Sequence, residues 1–249
     1  MKILICGVGG RMGREVASLA LAGMRGAEAV AGFDILPVDT REFPSYTNWS
    51  DVRETPDCII DFSHHAGTSA MLDFACEKKI PVVLATTGHD EAELKRIEEA
   101  ARVIPLFHSA NMSLGVALLA ELAKMTAKTF PDADIEIIEK HHNRKLDAPS
   151  GTALLLARAI QAVRERATLI FGRSGQAKRT PEEIGIHAIR MGNIVGEHEV
   201  IVGTDTQTIT LKHEAHSRAL FAEGAIAAAA FLVGQGAGLY DMRSMIDAD

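Results

Sequence analysis

The chain has 249 residues, of which 47% are hydrophobic and 24% charged, with a formal net charge of −7. That balance supports a substantial core and leaves no basic surface for nucleic acid. With 5% aromatic residues there is little to stack bases on either. Cys6, Cys58 and Cys76 are odd in number, lack CxxC spacing and lie among apolar residues, which predicts buried free thiols and a cytoplasmic protein. The opening MKILICGVGGR reads as a strand that ends in glycines rather than as a signal. The longest uncharged stretch, Gly224 to Tyr240, is rich in Ala and Gly and falls short of the ~20 strongly apolar residues of a membrane span, so no membrane association is predicted.

In the first half, short apolar runs alternate with helical patterns. KILICG precedes RMGREVASLALAG, EAVAGFD follows, DCIIDFS precedes GTSAMLDFACEKK, PVVLATTG precedes DEAELKRIEEAAR, and VIPLFHSA closes the series. This alternation predicts a Rossmann-like, doubly wound parallel sheet covered by helices. Asp90 followed by Glu93 is a capping box for the helix that it opens. Near Asn111 to Ser113 the grammar changes to a long helix whose Leu114, Leu118, Leu122 and Met125 share one face. Then come the alternating strand DIEIIEKH, a charged segment, the helix ALLLARAIQAVRER, a glycine- and charge-rich loop from Gly172 to Ile184, and the strands IHAIRMG, EHEVIVGTD and QTITLKHEA. Neighbouring strands joined by short turns predict an antiparallel or mixed sheet, an α+β insert of residues 113–218. After Arg218 the Ala-rich helix ALFAEGAIAAAAFLV can return to the first sheet. Residues 1–112 and 219–249 are thus expected to form a dinucleotide-binding domain, and the insert a domain for substrate binding and oligomerisation. Consecutive strands with open edges favour pairing with a second copy.

Three places carry chemistry. Gly7, Gly10 and Gly13 stand three apart at a strand-to-helix turn, where backbone can approach a pyrophosphate and the helix start supplies amide donors. Asp34, 21 positions after Gly13, ends the second strand where an acidic residue binds the adenosine ribose of a dinucleotide. The strand ends ATTG (Ala85 to Gly88) and SANMS (Ser109 to Ser113) fall where such a sheet builds its ligand crevice. In the insert, EKHHNRKLDAPSGTA places His141 and His142 just after a strand, one of them suited to donate a proton. A helix opening near Ser150 aims the N–H groups of Gly151 and Thr152 at an anion that Lys145 can also reach. Neither HExxH nor a Cys/His cluster is present, and His64 and His65 lie in a remote segment, so no metal is expected.

With these motifs the chain resembles the 4-hydroxy-tetrahydrodipicolinate reductase (dihydrodipicolinate reductase) family of the diaminopimelate route to lysine. The likeness spans nearly the whole chain, through GVGGRMG, IDFS, ATTG, SANMSLG, EKHHNRKLDAPSGTA, MGNIVGEHEV and LYDMR. The resemblance implies an NAD(P)H-dependent enzyme, a homotetramer, that removes water from a hydroxylated cyclic dicarboxylate and adds hydride at ring C4. It implies His141 as proton donor and Lys145 as its catalytic partner, with His142, Ser150, Gly151 and Thr152 at the substrate. Gly7, Val8, Gly9, Gly10, Arg11 and Met12 would hold the pyrophosphate and Asp34 the adenosine ribose. Ala85, Thr86 and Thr87 would meet the nicotinamide ribose, and Ser109, Ala110, Asn111 and Met112 the carboxamide side.

The chain departs from the family pattern at three points. Gly9 stands where another small residue is often found, a change expected to matter little. Ile35 follows Asp34 where members that accept a 2′-phosphate tend to carry arginine, which favours NADH over NADPH. Met112 replaces a frequent aromatic. The segment Leu36 to Trp49 has no assignable role. Two other readings of the same residues are another two-domain NAD(P)-dependent oxidoreductase of amino or keto acids, and a nucleotide sensor without catalysis.

Overall fold

A computed structural model describes Met1–Ala248. In chain order the elements are β1 (Lys2–Cys6), α1 (Arg11–Leu21), β2 (Glu28–Phe33), β3 (Ser45–Tyr46), β4 (Cys58–Asp61), α2 (Thr68–Lys78), β5 (Val82–Leu84), α3 (Glu91–Ala101), β6 (Pro105–His108), α4 (Leu114–Thr129), β7 (Asp134–His141), α5 (Gly151–Gln161), β8 (Thr168–Phe171), β9 (Glu183–Arg190), β10 (Gly196–Gly203), β11 (Thr208–Ala215), α6 (Ala219–Leu232), β12 (Gly238–Tyr240) and α7 (Met242–Ile246). The chain divides into two compact units, one running to Ser113 and resuming at Ala219, the other Leu114–Arg218.

The first unit is a parallel sheet in the order β3-β2-β1-β4-β5-β6-β12. Strands buried on both faces need continuous apolar runs, and KILIC, CIID and VVL supply them. Leu4, Ile59, Val82, Leu84 and Leu106 pack with Met71, Leu72 and Ala75 of α2 and with Ile97 and Ala100 of α3. The Ala-rich α6 lies against β4, β5, β6 and α1. Sequence order reverses between β1 and β4, so the crevice of this sheet opens at the carboxyl ends of those strands. The capping box of α3 is present, with the Glu93 N–H donating to Asp90 at 2.8 Å and the Asp90 N–H to Glu93 at 2.9 Å. The sequence reading missed β3, β12 and α7, whose two to five residues are too few to show a period. Cys6 and Cys58 are buried free thiols as expected, whereas Cys76 is only half-buried.

The second unit is a mixed sheet in the order β11-β10-β7-β9-β8. β10 runs antiparallel to both β7 and β11, and β9 runs parallel to β7 and β8. The expected mixed sheet is present, although its strands are not all neighbours in chain order. β9 and β10 follow each other in sequence but are separated by β7, whose Ile135 and Ile137 are fully buried and take the centre. Strand β8, absent from the sequence reading, extends the edge, and the loop before β9 ends at Glu182. Helix α5 stops at Gln161, short of the expected RER. There Arg164 turns aside to donate to the Ala133 carbonyl at 2.8 Å. In α4 the stripe of Leu114, Leu118, Leu122 and Met125 faces away from the core, with Leu118 47% and Met125 60% exposed. The buried face is Val116, Leu119, Ala120, Ala123 and Ala127, because small alanines bring the helix axis closest to β10 and β11. Among the described residues no helix is long and apolar enough to cross a membrane.

Gly224 shows how closely α6 is seated. A Cβ there would lie 1.7 Å from the carbonyl oxygen of Met112, which is backbone and has little freedom to move away. Gly224→Ala should therefore destabilise the fold by overpacking, by about 1–3 kcal/mol. The check is a lowered urea midpoint with the helical circular-dichroism signal of the folded state retained.

Candidate active site

In the first unit the turn from β1 to α1 closes only with glycine. Gly7 adopts φ +76°, and a Cβ on it would stand 2.8 Å from the Phe62 carbonyl oxygen. A Cβ on Gly13 would stand 2.1 Å from the Gly7 carbonyl oxygen. Gly10 caps α1 without a side chain, which leaves the helix start to an anion. A cavity of about 680 Å³ opens beside it, lined by Gly7, Gly9, Gly10, Asp34, Ile35 and Trp49 among others. Phe33 and Trp49 stack with ring centroids 3.8 Å apart, flooring the cavity with aromatic carbon. Asp34 accepts from the Gly9 N–H at 3.0 Å, and Ile35 beside it is 84% exposed.

Position 9 is tightly surrounded by side-chain atoms. A Cβ there would meet Val38 Cγ2 at 2.9 Å and Asp34 Oδ2 at 3.1 Å. Leu36, Pro37 and Val38, from the segment given no role, line the same cavity. Of the basic residues, Arg11 is exposed and Arg14, which the motif did not single out, lines the cavity. Val8 and Met112 have buried side chains, so either can meet a ligand only through its backbone; Met12 is half-buried.

At the ends of β4 and β5, Asp61 is buried and accepts from Thr86 Oγ1 at 2.7 Å, Ser63 Oγ at 2.5 Å and the Ser63 N–H at 3.1 Å. Burial pushes its carboxyl above the usual range, against these hydrogen bonds. Thr86 is thus turned inward; Ala85 is also buried, its N–H on the Asp61 carbonyl at 3.0 Å, and Thr87 is exposed. After β6, Ser109 Oγ donates to the Asn111 carbonyl at 2.8 Å, Asn111 Oδ1 accepts from the Ser113 N–H at 2.9 Å, and Ala110 is exposed. Nearby, His65 Nδ1 pairs with Glu93 at 2.9 Å and His89 Nε2 with the Thr68 hydroxyl at 3.0 Å. Among the described residues no cluster of three His, Cys, Asp or Glu is arranged to hold a metal.

In the second unit His141 ends β7 and is buried; His142 follows in a turn, its Nδ1 buried without a partner. Burial, then the Arg144 and Arg218 charges, lower the His142 pKa. His141 Nδ1 lies 2.6 Å from Glu139 Oε2. Glu139 is 0% exposed and also accepts from the Ser150 N–H at 2.9 Å and from both Arg190 terminal nitrogens, at 2.8 and 2.6 Å. Burial alone would push this carboxyl up, but hydrogen bonds from His141, Arg190 and Ser150 outweigh it and hold it down to about 2. A Cβ on Gly196 would stand 3.2 Å from His141 Nε2, so glycine puts no side chain against that edge of the ring.

Ser150, expected at the anion, is buried. Its Oγ caps the Ala153 N–H at 3.2 Å and meets His198 Nε2 at 3.1 Å, so it shapes the start of α5. Gly151 opens the helix in free space, with Thr152 next. Lys145 Nζ pairs with Asp147 at 2.8 Å and lowers that carboxyl. His198 stands 5.2 Å from His141, and burial, then the His141 charge, push it down to about 4. The sequence reading missed Glu139, Arg190 and His198. Alternation along β7 gives Glu139 the same face as His141, whereas the register that sets Arg190 opposite His141 leaves no mark in the sequence.

A glycine-closed cavity on a parallel sheet, with a carboxylate at the end of β2, defines a dinucleotide-dependent oxidoreductase of Rossmann type. The family model for the N-terminus of dihydrodipicolinate reductase matches residues 1–112, and that for its C-terminus matches 115–246. The chain belongs to the dihydrodipicolinate reductase family and is an NAD(P)H-dependent oxidoreductase. It is 48% identical over 250 residues to the 4-hydroxy-tetrahydrodipicolinate reductase of Caldanaerobacter subterraneus subsp. tengcongensis (99% of this chain, 98% of that one). Identity to the enzyme of that name from Clostridium tetani is 44% over 249 residues (99% and 97%). A dipicolinate-bound dihydrodipicolinate reductase from Paenisporosarcina sp. TG-14 superposes with a TM-score of 0.82 at 25% identity, covering 97% of each chain. A diaminopimelate dehydrogenase from C. glutamicum, at 13% identity and a TM-score of 0.59, shares the fold alone, covering 100% of this chain and 96% of that one.

The contact at position 9 yields a test. Gly9→Ala should raise the Kd for the reduced dinucleotide about tenfold by displacing Val38 and Asp34. Val38→Ala in the same chain should restore part of that loss, and the coupling of the two is read from a double-mutant cycle by fluorescence titration.

Proposed function

We propose that this chain reduces 4-hydroxy-tetrahydrodipicolinate to tetrahydrodipicolinate, in the diaminopimelate route to lysine, with NADH favoured over NADPH. The observation that carries the reading is the grouping of His141, Lys145 and the Gly151 helix start in one unit of a chain whose relatives bear that enzyme's name. The first unit serves as the dinucleotide domain and the second as the substrate and assembly domain. The cradle fits the cofactor, since side chains on Gly7 and Gly13 would fill the turn that lets backbone approach a pyrophosphate. Loss of water across C4 and the neighbouring ring carbon of the hydroxylated substrate leaves a C=C double bond, and the cofactor, when bound, would supply a hydride to its C4 end.

The residues of the chain do the rest. Backbone N–H groups of the loop Gly7 to Met12 and the start of α1 hold the pyrophosphate, with Arg14 beside it. Asp34 accepts from ribose hydroxyls. The segments Ala85 to Thr87 and Ser109 to Met112 orient the nicotinamide end. In the second unit Gly151 and Thr152 at the start of α5 receive one substrate carboxylate, and Lys145 leaves Asp147 to pair with it. His142 flanks the anion. His141 releases the Nε2 proton to the carbon next to the one that has accepted hydride, which neutralises the developing carbanion.

The protein is a cytoplasmic homotetramer on this reading. Helices α4 and α5 cover one face of the second sheet, and the opposite face carries Ile138, Ile189 and Ile201 partly exposed, suited to a second copy.

His141→Gln should lower kcat about 10²- to 10⁴-fold with cofactor affinity unchanged. Stopped-flow turnover with substrate made fresh by the preceding synthase checks it, and near-normal kcat would remove His141 as donor. Pyridine-2,6-dicarboxylate should compete with substrate, and Lys145→Ala should weaken that inhibition about tenfold or more; an unchanged inhibition constant would take Lys145 out of the anion site. NADH should be used at least as efficiently as NADPH, because the Asp34 carboxylate repels a 2′-phosphate and Ile35 offers no charge to bind it. A tenfold preference for NADPH in kcat/KM would overturn this.

A further inference from the structure

We propose that Glu139 is the positioning residue that makes His141 a donor through Nε2, and that Arg190 holds Glu139 ionised for that task. The inference rests on His141 being the proton donor and adds what directs its proton. Each oxygen of the buried carboxylate takes two donors: Oε2 from His141 Nδ1 and Arg190 Nη1, Oε1 from the Ser150 N–H and Arg190 Nη2. An ionised carboxylate only accepts, so Nδ1 must carry a hydrogen in both protonation states of the ring. The proton gained or lost is then always the one on Nε2, the edge against which Gly196 puts no side chain. When Nε2–H breaks and a C–H bond forms on the substrate, the ring is left as the neutral Nδ1–H tautomer, still bonded to Glu139 and ready to be reprotonated from solvent.

The charged and titratable groups around the ring favour the same outcome. Glu139 comes from β7, Arg190 from β9, His198 from β10 and His213 from β11, with His142 and Lys145 in the loop after β7. Among these Glu139 is the anion in direct contact with His141. His198, packed edge-on at 5.2 Å and pushed down to about 4, stays neutral near pH 7 and adds no second positive charge. Arg190 also donates to the Asp147 carbonyl at 2.7 Å, and Asp147 pairs with Lys145. One carboxylate therefore sets the donor and, through Ser150 and Arg190, both sides of the anion cradle.

The test compares the intact enzyme, Glu139→Gln and His141→Gln. Glu139→Gln should lower kcat about 10- to 100-fold with the KM for substrate within about twofold. The basic limb of its kcat–pH profile should move to lower pH, since an amide does not stabilise an imidazolium. In the intact enzyme, ¹⁵N-detected histidine spectra at high pH, with the His141 signal assigned by its loss in His141→Gln, should show the Nδ1–H tautomer. That measurement stands even if Glu139→Gln folds poorly. An Nε2–H tautomer in the intact enzyme would overturn the proposal, as would an unshifted Glu139→Gln profile beside an inactive His141→Gln. Normal turnover in His141→Gln would instead overturn the donor assignment itself, and this proposal with it.

Discussion

A fully buried carboxylate is among the most costly groups a fold can contain, and it persists only where donors surround it. Glu139 meets that condition with four donors from three separate pieces of chain: the end of its own strand, Arg190 on β9, and the Ser150 amide at the head of α5. Removing Arg190 would take away the guanidinium that pairs with this charge in the interior. The strand β7, the strand β9 and the helix α5 are thus held in one register at the place where the chemistry is grouped. The pairing of β7 with β9 sets Arg190 opposite His141 and so brings its guanidinium against Glu139.

In the first unit the governing constraint is close approach of backbone to backbone. The turn after β1 and the seating of α6 on Met112 both work because no Cβ intervenes. The two units therefore solve different problems. One brings backbone against backbone at the turn that opens α1, and the other gathers ionisable side chains whose charges are fixed by their neighbours.

Much of this was legible from the amino acids. Alternating apolar runs and helical patterns gave the parallel sheet, Asp90 and Glu93 the cap of α3, and spacing alone placed Asp34 at a strand end beside the glycine turn. The signature around His141 was visible because imidazole, ammonium and a Pro-Ser-Gly-Thr helix start lie within a dozen residues. What escaped depends on partners distant in sequence. Arg190 meets Glu139 through a strand register that no local pattern encodes. The apolar stripe of α4 did not say which face is buried, because the core takes the alanine face, a matter of how near the helix can come rather than of hydrophobicity. Strand β3 and the lining residues Leu36 to Val38 belong to a stretch without period, organised by the sheet edge and cavity that they border.

The inward turn of Thr86 has a directional consequence. Asp61 takes hydrogens from Ser63 and Thr86 and, while ionised, has none to return. The hydroxyl hydrogen of Thr86 is therefore committed to the interior, and its oxygen faces any newcomer with lone pairs alone. A group with two chemical options has been reduced to one. While Asp61 stays ionised, a partner that reaches Thr86 Oγ1 must therefore bring an N–H or O–H of its own.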